Sequence, residues 1–183
     1  DFPRTLEQIR TKLGSNPVAV QIPIGAEAGF EGVVDLIRMK AIRYADDTMG
    51  AESQIEEIPE SLVEQAKAYR EQLIEKVSEA NDELLEKYLH GEPMEEDAIV
   101  ATLRRRVIQS VRNEKAPFVP VLCGSAFKNK GVQPLLDAVV DLLPSPIDVP
   151  AITGLDPNEA EEMLLEREAS DDAPFSALAF KIL

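Results

Sequence analysis

The junction between an apolar run and a helical pattern constrains the fold more than any other feature of this chain. Residues 118–123 are apolar and partly β-branched, which is typical of a short strand buried on both faces. Residues 132–143 place apolar side chains at helical spacing, and Pro144 ends that pattern. A strand, a tight loop and a helix in this order predict an α/β fold, in which ligands bind beyond the carboxyl ends of the strands.

The loop at this junction, residues 124–131, is named the Ser-Ala loop. It begins with Gly124, Ser125 and Ala126, whose small side chains leave the backbone N–H groups accessible to a ligand. Loops of small residues are also common where the chain only reverses direction. By themselves, these three residues therefore favour a simple turn over a binding site.

A longer set of segments resembles the translation elongation factor G family, and the resemblance covers essentially the whole chain. Its most specific parts are GSAFKNKGVQ at 124–133, DLLPSP at 141–146 and SDDAPFSALAFKI at 170–182, with weaker similarity at 1–13, 33–36 and 86–89. The family implies a translational GTPase that binds GTP or GDP with Mg²⁺. Its members couple GTP hydrolysis to the movement of tRNA and mRNA through the ribosome.

The resemblance also implies a role for the Ser-Ala loop, as the last of the guanine-nucleotide motifs. Gly124, Ser125 and Ala126 would face the base. Ser125 would supply a backbone or hydroxyl hydrogen bond, and the Ala126 amide would lie near the guanine carbonyl. We interpret Lys128 and Lys130 as residues that keep the loop soluble.

Other motifs of such a GTPase are missing from the sequence. It contains neither the Gly-x-x-x-x-Gly-Lys-Ser/Thr loop that holds the phosphates nor the Asn-Lys-x-Asp that reads guanine. Asp-x-x-Gly occurs once, at residues 47–50 in a polar turn, and we interpret that match as chance. We therefore expect no catalytic residue and no metal ligand in this chain, and no GTP hydrolysis by the chain alone. Mg²⁺ would be held only by residues that the chain lacks.

These features together predict an internal piece of a larger protein. The chain starts at Asp1 instead of Met, and its last residues are an apolar run that stops abruptly. The expected fold class is α/β: the C-terminal part of a P-loop GTPase domain with an α+β insert, followed by a linker and the first strand of a β-barrel domain. The boundaries are 1–150 for the GTPase part, about 17–115 for the insert, 151–173 for an acidic linker and 174–183 for the strand of the truncated barrel.

Local patterns predict the elements of the first part. A helix is expected over 5–13, ending at Gly14, and strands over 17–24 and, as one or two strands, over 33–44. The strongest helical signal runs from 59 to 88, and a second helix over 95–111 aligns Ile99, Leu103 and Val107.

The long predicted helix carries a row of carboxylates opposite its apolar stripe, at Glu71, Glu75, Glu79, Asp82 and Glu86. Such a row is ordinarily a solvated face. The resemblance implies another role, because the insert of elongation factor G meets the carboxyl-terminal domain of the ribosomal stalk protein. On that basis we expect Glu75, Glu79 and Asp82 to form the centre of a contact with the stalk protein, in which complementary charge speeds encounter.

The charge of the chain limits its other partners. The formal net charge is −15, with 14 acidic and 4 basic residues in 55–97 and 8 acidic and 1 basic in 156–172. An acidic surface argues against direct nucleic-acid binding by this piece. No apolar run approaches the roughly 20 residues that span a bilayer, so no membrane partner is expected. The single cysteine, Cys123, cannot form an internal disulfide and is interpreted as a core residue of the predicted strand, so a reducing cytoplasmic location is expected.

Two alternatives remain open on the sequence. A related ribosomal GTPase, of the tetracycline-protection or peptide-release type, shares the general features, although the GSAFKNKGVQ string favours elongation factor G. A free-standing acidic protein-interaction module would use the carboxylate row without any nucleotide. The gene sequence on either side of this chain discriminates between the two classes.

Overall fold

The chain forms a mixed α/β fold of two compact units, Asp1–Leu143 and Pro144–Leu183. The computed structural model describes residues 1–45, 50, 52–113, 115–156, 164–177 and 180–181, with only the backbone of 111–113. The helices are α1 (Phe2–Leu13), α2 (Glu60–Ser78), α3 (Asp82–His90), α4 (Glu96–Asn113) and α5 (Val132–Leu142). The strands are β1 (Asn16–Ala19), β2 (Gln21–Ile24), β3 (Gly32–Asp35), β4 (Lys40–Tyr44), β5 (Ser53–Glu56), β6 (Phe118–Val121), β7 (Ile152–Leu155) and β8 (Leu164–Arg167).

Two sheets meet in the first unit. β1 and β6 pair in parallel, with Asn16 opposite Phe118, and β2 to β5 form an antiparallel sheet in sequence order. The sequence predicts one strand over 17–24, and this is wrong in detail because the chain changes sheets at Val20. The Val20 N–H donates to the Val121 carbonyl (3.0 Å), whereas the Val20 carbonyl accepts from the Leu36 N–H (3.0 Å).

The predicted helix over 59–88 is also two helices. α2 ends at Ser78 and α3 begins at Asp82, with an extended residue, Asn81, between them. The Asn81 side-chain oxygen accepts hydrogen bonds from the N–H groups of Glu83 (3.0 Å) and Leu84 (3.3 Å). An asparagine that satisfies these first free N–H groups starts a new helix, so the apolar stripe continues across a break in the backbone.

The main core lies between the antiparallel sheet and the helices. Side chains from β3 and β4 alternate between the two faces of the antiparallel sheet. Val34 therefore packs into the main core, while Val33 packs into a smaller cluster on the opposite face of the sheet. The alignment predicted for the second helix is confirmed, since Ile99, Leu103 and Val107 are buried on α4. The smaller cluster consists of Phe30, Val33, Ile42 and Tyr44, with Cys123 packed against it.

The helix that follows the Ser-Ala loop is capped by a neighbouring helix. The Arg104 guanidinium of α4 donates to the carbonyls of Asp141 (3.1 Å) and Leu143 (2.7 Å), at the end of α5. A cation there satisfies carbonyls that have no partner within the helix. α5 presents several apolar side chains to solvent, namely Leu135, Leu136, Val139 and Val140, and Leu143 directly after it is exposed as well.

The second unit differs from the sequence prediction. Residues 151–173 are predicted to be a linker, but β7 and β8 lie within them and pair antiparallel, with Leu155 opposite Leu164. The acidic composition of the segment hides the apolar residues that form this pair. Residues 174–183 are predicted to be a strand. The described ones, 174–177, 180 and 181, form no strand, and the rest of that prediction lies outside the described residues.

Candidate functional site

The Ser-Ala loop closes on itself through its backbone. The Ser125 N–H donates to the Lys130 carbonyl (2.8 Å), and the Lys130 N–H donates back to the Ser125 carbonyl (3.1 Å). Between them, Ala126–Lys128 form one turn of 3₁₀ helix, and Asn129 adopts a left-handed conformation with φ of 53°. The loop is therefore a defined backbone ring that joins β6 to α5.

The first residues of the ring face outward. Gly124 and Ala126 are exposed, and Ser125 is half-buried. Within the described part of the chain, the Ala126 N–H has no hydrogen-bond acceptor, so it is free for a ligand. The Ser125 N–H is not free, because the Lys130 carbonyl accepts it. Of the two bonds that the resemblance allows for Ser125, only the hydroxyl remains available, and its contact with a base stays a prediction.

A cavity of about 200 Å³ opens beside these residues. It is lined by residues of the end of β6, the loop and the start of α5, namely Leu122, Cys123, Gly124, Ala126, Lys130, Gly131, Val132 and Leu135. Small-molecule pockets usually start at roughly 300 Å³ and bury most of their ligand. The lining residues could thus form part of the wall around a flat, partly apolar ligand.

Gly131 lets the loop return to the end of β6. Its φ of 84° lies in the left-handed region, and a Cβ atom at this position would lie 2.7 Å from the Cys123 carbonyl oxygen. A side chain at 131 would be both strained and too close to the backbone. Glycine is the residue that fits here.

The interpretation that the loop lysines keep the loop soluble is wrong for Lys130, whereas Lys128 is exposed and leaves it a prediction. Lys130 is buried, with 2% of its surface exposed, and its Nζ atom donates to the Phe30 carbonyl (3.1 Å). Lys128 is exposed, but its Nζ atom donates to the Ala28 carbonyl (3.2 Å). Both bonds tie the loop to the connection between β2 and β3, 100 residues earlier in the chain.

Cys123, the residue before the Ser-Ala loop, fixes the start of the loop against β2 and the smaller cluster. Its N–H donates to the side-chain oxygen of Gln21 (3.3 Å), and its thiol packs against the cluster around Phe30. Burial raises the pKa of the Cys123 thiol to about 12. A thiol with such a pKa is almost entirely protonated at neutral pH, so it packs and does not react.

A backbone contact reaches the loop from a further segment. Gly50, with φ of 74°, lies so close to the Ser-Ala loop that a Cβ atom there would be 2.4 Å from the Lys128 carbonyl oxygen. Gly50 is the last residue of the Asp-x-x-Gly match that we interpret as chance. The other three residues of that match, 47–49, lie outside the described residues.

The carboxylates predicted to meet a partner do not form one helical row. Glu75 lies on α2, Glu79 at its C-terminal end and Asp82 in the first turn of α3, so the break at Asn81 separates the last two. All three side chains are exposed. The Glu79 carboxylate lies 3.9 Å from the Arg106 guanidinium, which partly offsets its charge. Their contact with a partner stays a prediction.

The Ser-Ala loop itself contains no His, Cys, Asp or Glu. No group of three or more His, Cys, Asp or Glu side chains is placed there to hold a metal ion. The single histidine, His90, donates a hydrogen bond from its ring nitrogen Nδ1 to the Glu86 carbonyl (2.8 Å), at the end of α3. No described helix is long and apolar enough to cross a bilayer.

The sequence missed the residues that hold the loop from outside. Gln21 carried a signal in the sequence, since it is a polar residue in an otherwise apolar strand pattern. In the structure its side chain is almost fully buried. Lys130 and the Phe30 carbonyl carried none, because their contact joins segments 100 residues apart.

Comparison with known proteins supports the fold class but identifies no family. No family model matches the chain. The chain is similar to a protein of Thermus thermophilus whose crystal structure has been solved, with 28% identity and a TM-score of 0.64. The match covers 86% of this chain and only 24% of that one. The two share a mixed α/β fold, and this chain spans about a quarter of the other protein's length.

Proposed function

We propose that this chain is the guanine-side part of a translational GTPase of the elongation factor G type. The observation that carries the proposal is the Ser-Ala loop, in which the Ala126 N–H has no acceptor among the described residues and lies beside a cavity. The loop stands at the carboxyl end of β6, where α/β sheets bind ligands. A free amide at that point is a suitable donor to a base carbonyl.

Two features of the first unit support a site that is completed by residues outside this chain. β1 and β6 form a parallel pair, and parallel strands occur almost only in sheets that are covered on both faces. α5, which packs against α4, exposes a row of apolar side chains, with Val140 at 77% exposure. The 24% coverage of the solved relative is consistent with a larger whole.

The whole protein would bind GTP with Mg²⁺ in the cytoplasm and couple hydrolysis to tRNA and mRNA movement on the ribosome. In this chain, Gly124, Ser125 and Ala126 contribute to the base side of the site. Phosphate positioning and charge stabilisation carry the chemistry of phosphoryl transfer, so the chain alone would not hydrolyse GTP.

Nucleotide binding by the full-length gene product tests the proposal. We expect it to bind fluorescent GDP and to release phosphate from GTP, while the purified 183-residue chain shows no turnover. The Ala126→Pro variant, which removes the amide N–H, is expected to weaken GDP binding, and Ala126→Gly, which keeps it, is the matched control. A full-length product that binds no guanine nucleotide, or a gene without an upstream phosphate-loop sequence, would refute the assignment.

The acidic surface at Glu75, Glu79 and Asp82 is proposed to meet the carboxyl-terminal domain of the ribosomal stalk protein. Complementary charge acts mainly on the association rate and on its dependence on salt. Replacing the three residues by Lys in the full-length protein is therefore expected to slow association and flatten the salt dependence. The control replaces the exposed Glu60, Glu64 and Glu92 by Lys, which changes the net charge equally; identical kinetics for both triple variants would exclude a specific contact.

A further inference from the structure

Lys130 is unusual because a basic side chain is almost completely buried in a surface loop. Lysine is rarely buried unless its amino group has partners. Here the Nζ atom donates to the Phe30 carbonyl at 3.1 Å, and the backbone of the same residue makes both hydrogen bonds that close the ring with Ser125. One residue thus joins the β2–β3 connection to the part of the loop that faces outward.

Further contacts hold the same loop against the same part of the fold. Lys128 donates to the Ala28 carbonyl, and the Cys123 N–H donates to Gln21 of β2. The cluster that contains Phe30 packs against Cys123 from the face of the sheet opposite the main core. The Ser-Ala loop and the β2–β3 connection therefore behave as one packed body.

The geometry of Ala126 depends on this packing. Ala126 follows Ser125, whose N–H and carbonyl are both fixed by Lys130, and the turn from Ala126 to Lys128 closes back on the Ser125 carbonyl, which accepts the Lys128 N–H (3.0 Å). A shift of Lys130 moves Ser125 and with it the direction of the Ala126 N–H. Misplacing a hydrogen-bond donor weakens its bond steeply.

We propose that Lys130 is a positioning residue that sets the affinity for the guanine base by locking the Ser-Ala loop onto the Phe30 carbonyl. The inference rests on the proposed function, because it assigns Lys130 a role in the binding of the base. Lys130 does not touch the base. It acts through Ser125 on the Ala126 amide, so its effect is limited to ligands that carry the guanine carbonyl.

The test compares Lys130→Met with Lys128→Met in the full-length gene product. Both variants replace a lysine of the same loop that donates to a backbone carbonyl, but only Lys130 is buried. For Lys130→Met we expect roughly tenfold faster dissociation of fluorescent GDP, the factor that corresponds to one lost buried hydrogen bond. For Lys128→Met we expect a change of about twofold or less. The Lys128 amino group is exposed, so water can replace it as the partner of the Ala28 carbonyl.

A second ligand separates positioning from general damage to the site. The diphosphate of 2-aminopurine riboside keeps the phosphates but lacks the guanine carbonyl. Its dissociation is expected to be the same from Lys130→Met as from the wild type. Equal acceleration for both ligands would indicate a general structural defect and overturn the inference.

Hydrogen exchange tests the bracing without any nucleotide. In Lys130→Met the amides of Ser125 and Lys130 are expected to exchange faster, whereas amides of α2 are unchanged. Lys130→Gln, whose side chain is too short to reach the Phe30 carbonyl, is the second variant in case the first does not fold, with the same expected changes. If the wild type binds no GDP, the proposed function is refuted. If the wild type binds GDP and the Lys130→Met variant binds it equally well, or if hydrogen exchange in the loop is unchanged in the variant, this inference alone is refuted.

Discussion

The break between α2 and α3 gives a prediction whose sign depends on the fold. Asn81 lies after the end of α2 and caps α3, with its side-chain oxygen accepting from the N–H groups of Glu83 and Leu84. Its side-chain nitrogen donates to the Thr102 hydroxyl of α4 at 3.3 Å, and Thr102 is buried. Asn81 therefore stabilises both a helix start and the packing of α3 against α4.

The magnitude follows from these two roles. Asn81→Ala removes the cap, which costs about 1 kcal/mol, and leaves a buried hydroxyl without its partner, which costs about 1 kcal/mol more. The expected loss of stability is the sum, about 2 kcal/mol. If residues 59–88 were one continuous helix, as the sequence periodicity predicts, the same substitution would stabilise the protein by roughly 0.7 kcal/mol, since alanine is the better helix former.

Urea unfolding of the purified chain, followed by circular dichroism, measures the free-energy difference. Asn81→Ser is the matched variant, because it keeps a capping oxygen but is too short to reach the Thr102 hydroxyl, and we expect it to lose about 1 kcal/mol. Hydrogen exchange at the amides of Glu83 and Leu84 locates the effect, and it is expected to quicken in the alanine variant alone. An alanine variant as stable as the wild type would refute the capped break.

Three further substitutions test packing and titration. Gly131→Ala is expected to cost about 1–3 kcal/mol, from its positive φ together with the contact on the Cys123 carbonyl; Gly14→Ala, with a positive φ but open space around it, is the control, and equal losses in thermal unfolding would refute the steric part. Leu103→Ala is expected to cost about 2–5 kcal/mol because the side chain is fully buried, against about 0.5 kcal/mol or less for the exposed Leu89→Ala. The Cys123 pKa is raised from 9.0 to about 12, so the unfolded state loses the thiol proton first and stability falls as the pH rises from 9.0 towards 12. Comparing urea unfolding of the wild type and Cys123→Ala at pH 7 and at about pH 10 checks the sign, and a wild type that gains stability relative to the variant at the higher pH contradicts it.

The elements that could be predicted are those fixed by local pattern. α1 ends at Gly14, as expected from a glycine in the left-handed conformation, and α4 buries the residues that align on one face. The strand, loop and helix around 118–143 are also present. In each case, the signal lies within one turn or one period of the element itself.

The elements that were missed depend on partners distant in the sequence or on a signal outweighed by a stronger one. The switch at Val20 requires two sheets, one paired through Val121 and the other through Leu36, and no local pattern marks it. The Asn81 break had a local signal, a capping residue followed by two acidic ones, but the apolar stripe ran through it without losing phase. In the second unit, acidic residues obscured the pairing of β7 with β8.

Several departures from local rules fall together in the Ser-Ala loop. Asn129 and Gly131 both have positive φ, and the residue between them is a buried lysine. Such conformations persist only where the surrounding structure holds them, and they concentrate at functional sites. The bonds that hold them come from Phe30 and Ala28, 100 residues earlier in the chain. A loop that served only to reverse the chain would need none of these distant bonds. Forming them costs loop-closure entropy, and this cost is explained if the loop must hold the Ala126 amide in one fixed direction.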